Sequence, residues 1–231
     1  MARKYKSVFF DADDTLFDYP RAERAALRAC LSEFAIAIKP EVFFTAYRRH
    51  NHDLWRAFEN SEVNQATLRV ERFRRLFAEL DYSCPAPEAV SPFYLEALSG
   101  QPQLLPGALA TVRTLAKKFP LALVTNGIAS VQNRRFAASP ITRHFQAVVI
   151  SEEVGSAKPD PRIFAPALRS IGVEAADVLY VGDSVNSDMA AARNAGMDFC
   201  WLNPKGIPVP AGHAPAFIIA SIKELLDCRG L

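Results

Sequence analysis

Four short stretches carry side chains that could do chemistry together: Asp11-Ala12-Asp13-Asp14-Thr15-Leu16, Thr125-Asn126-Gly127, Lys158-Pro159 and Gly182-Asp183-Ser184-Val185-Asn186-Ser187-Asp188. Asp11 follows the apolar run Ser7–Phe10, which reads as a buried strand, so its carboxylate is expected to be held rigidly. With Asp183 nearby, two or more carboxylates would repel strongly in a partly dry site. A divalent cation removes that conflict, and hard oxygen ligands with room for water suit Mg²⁺, with Mn²⁺ as a substitute. The cation would then screen an incoming phosphate from Asp11 and let the carboxylate attack it. Lys158 can bridge Asp11 and the phosphate, Thr125 supplies a hydroxyl, and the N–H groups of Asn126 and Gly127 open a helix that would cradle an anion. Cation, ammonium and amides together suit the charge on transferring phosphoryl oxygens.

Asp13 points to the reaction class. Two residues beyond Asp11, it is placed to protonate a leaving group and then to activate water. An alkoxide needs that proton and a halide does not, which favours phosphate-ester hydrolysis over dehalogenation. Taken singly, each stretch has an ordinary explanation. Asp-x-Asp after a strand is commonly a turn or a cap, Thr-Asn-Gly a turn, Lys158 a solvated loop residue and Gly-Asp-Ser a helix start. Their occurrence at four strand ends is what makes a site of them.

The elements that must position these residues are six apolar runs: Ser7–Phe10, Leu121–Thr125, Ala147–Ile150, Val178–Gly182, Phe199–Leu202 and Phe217–Ile219. From Leu121 onward they alternate with segments of helical period such as Pro161–Ile171, started by Asp160-Pro161, and Asn186–Ala195. Apolar strands separated by helices imply an α/β, doubly wound parallel sheet covered on both faces, which binds ligands beyond the carboxyl ends of its strands. Between the first strand and Leu121 the pattern is helical, in Ala22–Phe34, Glu41–Phe58, Gln65–Leu80 and Glu88–Leu98. The expected organisation is therefore a core of residues 1–18 and 103–231 with an all-helical domain, residues 19–102, inserted after the first strand.

Composition narrows the class further. The chain has 231 residues, 50% hydrophobic and 23% charged, enough to bury a core. A net charge of +2 argues against nucleic acid or an anionic membrane as partner. Residues 21–75 hold 11 Lys and Arg against 7 acids, but through residue 100 the count is 11 against 11. Cys30, Cys84, Cys200 and Cys228 lie far apart in sequence and read as reduced packing residues. His50 and His52, at i and i+2, do not share a helix face and make no metal pair. The basic start, Met1 to Lys6, is followed by too short an apolar run for a signal peptide, so a cytoplasmic enzyme is expected.

The four motifs resemble those of the haloacid dehalogenase superfamily of aspartate-nucleophile hydrolases, over essentially the whole chain, and the insertion resembles that superfamily's helical cap. The resemblance implies a phosphorylated Asp11, Asp13 as acid and base, and Mg²⁺ held by Asp11, the Asp13 carbonyl and Asp183, with Asp188 matching the second acid of the last motif. Phe9–Phe17, Ile150–Gly155 leading into Ala157-Lys158-Pro159, and Cys200-Trp201-Leu202-Asn203 further resemble bacterial pyrimidine 5′-nucleotidases. Arg48-Arg49-His50 and Arg72 to Arg75 are more basic than that likeness implies. The implied substrate is a nucleoside 5′-monophosphate, handled by a monomer or homodimer. Asn51, Trp55 and Phe17 are candidates for reading the base, against the alternatives that Trp55 is core and Phe17 seals the loop after Asp13. A phosphoglycolate or sugar-phosphate phosphatase, a phosphomutase, or a non-catalytic regulatory module on the same fold are the competing expectations.

Overall fold

Successive residues of a strand face opposite ways, so a run that is apolar at every position needs a hydrophobic layer on both sides. The computed structural model, which describes residues 5–83 and 85–231, has that arrangement. Met1–Lys4 of the basic start and Cys84 lie outside the described residues. Strands β1 (Ser7–Phe10), β2 (Leu121–Thr125), β3 (Ala147–Ile150), β4 (Val178–Gly182), β5 (Asp198–Leu202) and β6 (Phe217–Ile219) form one sheet in the order β3-β2-β1-β4-β5-β6. Every neighbouring pair is parallel.

Val8, Phe10, Leu121, Leu123, Leu179 and Val181 enter one core layer, completed by helix α5 (Ala108–Leu115), Phe136 and the 3₁₀ segment Ile222–Asp227. Phe9, Ala122, Val124, Val178 and Tyr180 enter the other, against Ile163, Phe164 and helices α8 (Ala165–Ile171) and α9 (Ala190–Ala195). This is the doubly wound fold expected. Strand β1 lies beside both β2 and β4, and such a reversal of strand order leaves a crevice at the carboxyl ends. Asp11 leaves β1, and Asp183 leaves β4, at that crevice.

Two helices differ from expectation. Pro161–Ile171 is a 3₁₀ segment, Pro161–Phe164, followed by α8. Pro166 has no N–H to give the Arg162 carbonyl, which instead accepts from Ala165 three residues on. Asn186–Ala195 begins as a π-turn, Val185–Met189, before α9, with Met189 N–H on the Ser184 carbonyl at 3.0 Å. Single π-turns of this kind recur at functional sites. Between β2 and β4 the chain also forms α6 (Ala129–Ala138) and the short α7 (Ser151–Val154).

The chain divides into two compact units: the segment ending at Tyr19 together with Pro102–Leu231, and Pro20–Gln101. The second is built from α1 (Tyr19–Glu33), α2 (Pro40–Glu59), α3 (Gln65–Glu79) and α4 (Pro87–Ser99). Its interior is aromatic, with Tyr47, Phe73 and Tyr94 packed ring to ring and the buried Arg72 guanidinium 4.7 Å from the Tyr94 centroid. The basic stretch of this unit is neutralised internally: Arg48 pairs with Glu23 at 2.7 Å, Arg49 with Glu79, and Arg74 and Arg75 with Glu71. Among the described residues no helix is long and apolar enough to cross a membrane. Cys30, Cys200 and Cys228 are free thiols; Cys200 and Cys228, 28 residues apart, meet in the first core layer, where a mutual hydrogen bond and burial push the Cys200 thiol far up.

Candidate active site

Asp11 emerges from β1 with its N–H on the Val181 carbonyl of β4 at 2.9 Å, so both strands fix its main chain. The loop after it closes tightly: the N–H groups of Leu16 and Phe17 both reach the Ala12 carbonyl, at 2.9 Å each. That turn needs Asp14 at φ 60°, a left-handed conformation that Asp tolerates better than most residues. Beside Asp11, only 6% exposed, stands Lys158, 2% exposed. The Lys158 ammonium lies 2.5 Å from Asp11 Oδ1 and 2.7 Å from Asp188 Oδ1, and donates to the Tyr180 hydroxyl at 3.0 Å. Asn126 fixes this lysine from behind, its side chain accepting from Lys158 N–H at 2.8 Å and donating to Lys158 O at 2.9 Å.

Carboxylate oxygens of Asp11, Asp183 and Asp188 gather within 4.8 Å of one another. Gly182 permits this, because a Cβ there would sit 2.5 Å from the Asp188 carboxyl carbon. Asp188 also accepts Ser184 N–H at 3.0 Å, the bond the π-turn makes possible. Asp183 is held through its carbonyl by the Trp201 indole N–H at 2.9 Å. Removal from water drives the Asp11 carboxyl up, Lys158 pulls it back and Asp188 adds to the rise, leaving it at about 8. Burial, then Asp188 and Asp11, likewise drives the Asp183 carboxyl well above the usual carboxylate range. Burial by itself would lower the Lys158 ammonium, but Asp11 and Asp188 outweigh it and hold the group well above its ordinary value. Three close carboxylates face one ammonium. The excess negative charge, carried by hard oxygen donors, fits a divalent cation, and these residues could hold one.

Asp13, Thr125 and α6 make the other half of the site. Asp13 Oδ1 accepts from Arg135 Nη1 at 2.6 Å and its Oδ2 from Gln132 Nε2 at 2.8 Å. Thr125 Oγ1 accepts from Gln132 Nε2 at 3.2 Å and from Gly127 N–H at 3.0 Å. A Cβ on Gly127 would collide with the Gln132 side chain.

These contacts correct two sequence expectations. The Gly127 N–H is already bonded to Thr125, while the Asn126 side chain holds Lys158. Phe17 is fully buried, its ring 5.3 Å from Phe136 and 5.0 Å from the Arg135 guanidinium, so it supports Arg135 and has no surface to read a base. In the helical unit, Asn51 is buried with Oδ1 on Arg72 at 3.2 Å, and the half-buried Trp55 packs edge-on against Phe58. Gln132, Arg135 and Tyr180 were not among the expected site residues. On α6 the buried positions are Val131, Gln132, Arg135 and Phe136, so polar residues on the apolar face of a helix were the available signal.

Residues 5–196 match the haloacid dehalogenase-like hydrolase family. Pyrimidine 5′-nucleotidase YjjG of Escherichia coli is 31% identical over 223 residues, 96% of each chain. Pyrimidine 5′-nucleotidase PynA of Streptococcus pneumoniae is 33% identical over 230 residues, 97% of this chain and 94% of the relative. A solved structure of the HAD-hydrolase YfnB of Bacillus subtilis, bound to magnesium, superposes with a TM-score of 0.90 at 30% identity, covering 97% of this chain and 98% of that one.

Proposed function

This chain belongs to the haloacid dehalogenase-like hydrolase family and is a phosphoric monoester hydrolase, and from that premise we propose that Asp11 takes the phosphoryl group of a pyrimidine nucleoside 5′-monophosphate and yields it to water. The observation that carries the reading is a strand-end carboxylate, Asp11, buried 2.5 Å from an ammonium and grouped with two further acids. The two nucleotidase relatives, alike over nearly the whole chain, support the substrate class.

The residues divide the work as follows. An Asp11 oxygen attacks phosphorus while the bond from phosphorus to the 5′-oxygen breaks, and Asp13 gives that oxygen its proton. The Asp13 carboxylate then takes a proton from the water that opens the phosphoaspartate, releasing phosphate and restoring Asp11. Lys158 offsets charge on Asp11 and on the phosphoryl oxygens. Thr125 Oγ1 already accepts two hydrogen bonds, which leaves its proton to donate to a phosphoryl oxygen. Asp11, Asp183, Asp188 and the Asp13 carbonyl would hold Mg²⁺, which supplies the charge that lets an anionic nucleophile meet an anionic phosphate. The helical segment, residues 19–102, would act as the cap that reads the nucleoside, with Trp55 as the stacking surface.

A panel of UMP, dUMP, dTMP, AMP, phosphoglycolate and glucose 6-phosphate ranked by kcat/KM tests the substrate. Pyrimidine nucleotides are expected to lead by at least about 10-fold, an effect of about 1.4 kcal/mol. Phosphoglycolate or the sugar phosphate in first place would overturn the assignment.

Metal removal has a predicted pH dependence. Below about pH 4 Asp11 is protonated whether the chain is folded or not. Between there and about 8 the folded, metal-free chain keeps a proton that the unfolded chain has lost, so rising pH works against folding, and the contribution is gone above about 8. Thermal unfolding in EDTA should show Tm falling over this window, and Mg²⁺ should raise Tm more at pH 8 than at pH 5.5. Equal increments at both pH values would contradict a cation seated on these carboxylates.

A further inference from the structure

Arg135 is among the largest fully buried side chains in the molecule, and its charge needs a reason. Its Nη1 donates to Asp13 Oδ1 at 2.6 Å and to Gln132 Oε1 at 3.0 Å, while its guanidinium lies 5.0 Å from the Phe17 centroid. Gln132, 1% exposed, bonds Asp13 Oδ2 and Thr125 Oγ1 through one nitrogen. Both oxygens of Asp13 are thus gripped from one side by α6. Arg135 is 0% exposed and the Asp13 side chain 28%, so the carboxylate is buried on the α6 side and open on the other.

We propose that Arg135 and Gln132 are positioning residues for proton transfer: they fix the plane of the Asp13 carboxyl and tie it to the Thr125 hydroxyl. This inference rests on the phosphatase reading above, in which Asp13 protonates the leaving oxygen. Two donors on two oxygens set both the position and the rotation of a carboxylate, which a single ion pair does not. The Gln132 bridge gives Asp13 and the phosphate-facing Thr125 a common reference, so the proton is delivered relative to the bound phosphoryl group. Phe17 completes the device by supporting the guanidinium, which explains why an aromatic side chain next to the site is wholly buried. An Arg135 that only stabilised the loop after β1 would affect all substrates alike.

The test compares two leaving groups. An alkyl phosphate, the one the wild type prefers, needs a proton on its leaving oxygen, whereas p-nitrophenyl phosphate releases a phenolate that leaves without one. The readout is kcat/KM, which reports steps up to phosphorylation of the enzyme. Asp13→Asn sets the scale, with a loss of about 10²–10⁴-fold on the alkyl ester. Arg135→Met should lose roughly 10–100-fold on the alkyl ester, the range expected from a small misplacement of a reacting group, and within about 3-fold on p-nitrophenyl phosphate. Arg135→Lys should recover part of the alkyl-ester rate, and Arg135→Met should add little to Asp13→Asn. Equal losses on both esters, in Arg135→Met or, if that variant does not fold, in Arg135→Gln, would overturn the proposal and leave the phosphatase reading standing. A wild-type protein that turned over neither ester would remove both.

Discussion

Asp11→Asn is expected to lower kcat at least about 10⁴-fold on every phosphate ester while the protein stays folded. The substitution keeps the size of the side chain and an oxygen for the Lys158 ammonium, but replaces the attacking carboxylate with an amide. It also deletes one negative charge from a cluster in which Asp11, Asp183 and Asp188 lie within 4.8 Å of one another. Above about pH 8, where Asp11 has lost its proton in the metal-free chain, the variant should therefore unfold no earlier than the parent, because the lost repulsion offsets the weaker bond to Lys158. Steady-state rates with UMP and p-nitrophenyl phosphate, paired with thermal unfolding in EDTA, measure both effects. Activity within about 10-fold of the parent would show that Asp11 is not the group that takes the phosphoryl.

Lys158→Met should damage both folding and rate. The ammonium touches Asp11 at 2.5 Å, Asp188 at 2.7 Å, the Tyr180 hydroxyl at 3.0 Å and the Val124 carbonyl at 3.3 Å. Removing it leaves buried carboxylates without their partner, which costs about 3–5 kcal/mol in comparable cases. Loss of a positioned charge beside the phosphoryl oxygens should add a fall of about 10²–10³-fold in kcat. Arginine does not restore the site, since its planar fork does not fit where a compact ammonium is buried among four acceptors. Thermal unfolding in EDTA and with Mg²⁺ separates the two effects: the cation should recover part of the stability and little of the rate. A stable variant with near-parental turnover would mean that Lys158 neither holds the acids nor serves the reaction.

The strands were legible because a buried parallel strand leaves a plain trace, a short apolar run between turn residues. Five of the six observed strands have the bounds read from sequence, and β5 starts one residue earlier, at Asp198. Asp11, Asp183 and Lys158 were legible for the same reason, being polar residues at the ends of such runs or in the loops joining them. Gln132, Arg135 and Tyr180 were not, because what marks them is a partner far along the chain: Arg135 and Asp13 are 122 residues apart. In one dimension a helical Arg reads as surface, and a Tyr inside an apolar strand reads as core. Gly127 was assigned to an anion because its position was visible and the bond of its N–H to Thr125 was not, and the hold of the Asn126 side chain on Lys158 was invisible for the same reason. The turn at Val185–Met189 escaped for a related reason: it goes with the Asp188 carboxylate reaching back to the Ser184 N–H, a bond that helical periodicity does not encode.

The claim on which the account depends is that phosphorus becomes bonded to Asp11. Single-turnover reactions of the magnesium-loaded protein with a phosphate ester, quenched in acid and reduced with borohydride, convert a phosphoaspartate to homoserine at that position. Peptide mass spectrometry should then find homoserine at position 11 in the parent protein and not in Asp11→Asn. Full release of phosphate with residue 11 recovered only as aspartate, or with the reduced residue elsewhere in the chain, would contradict it.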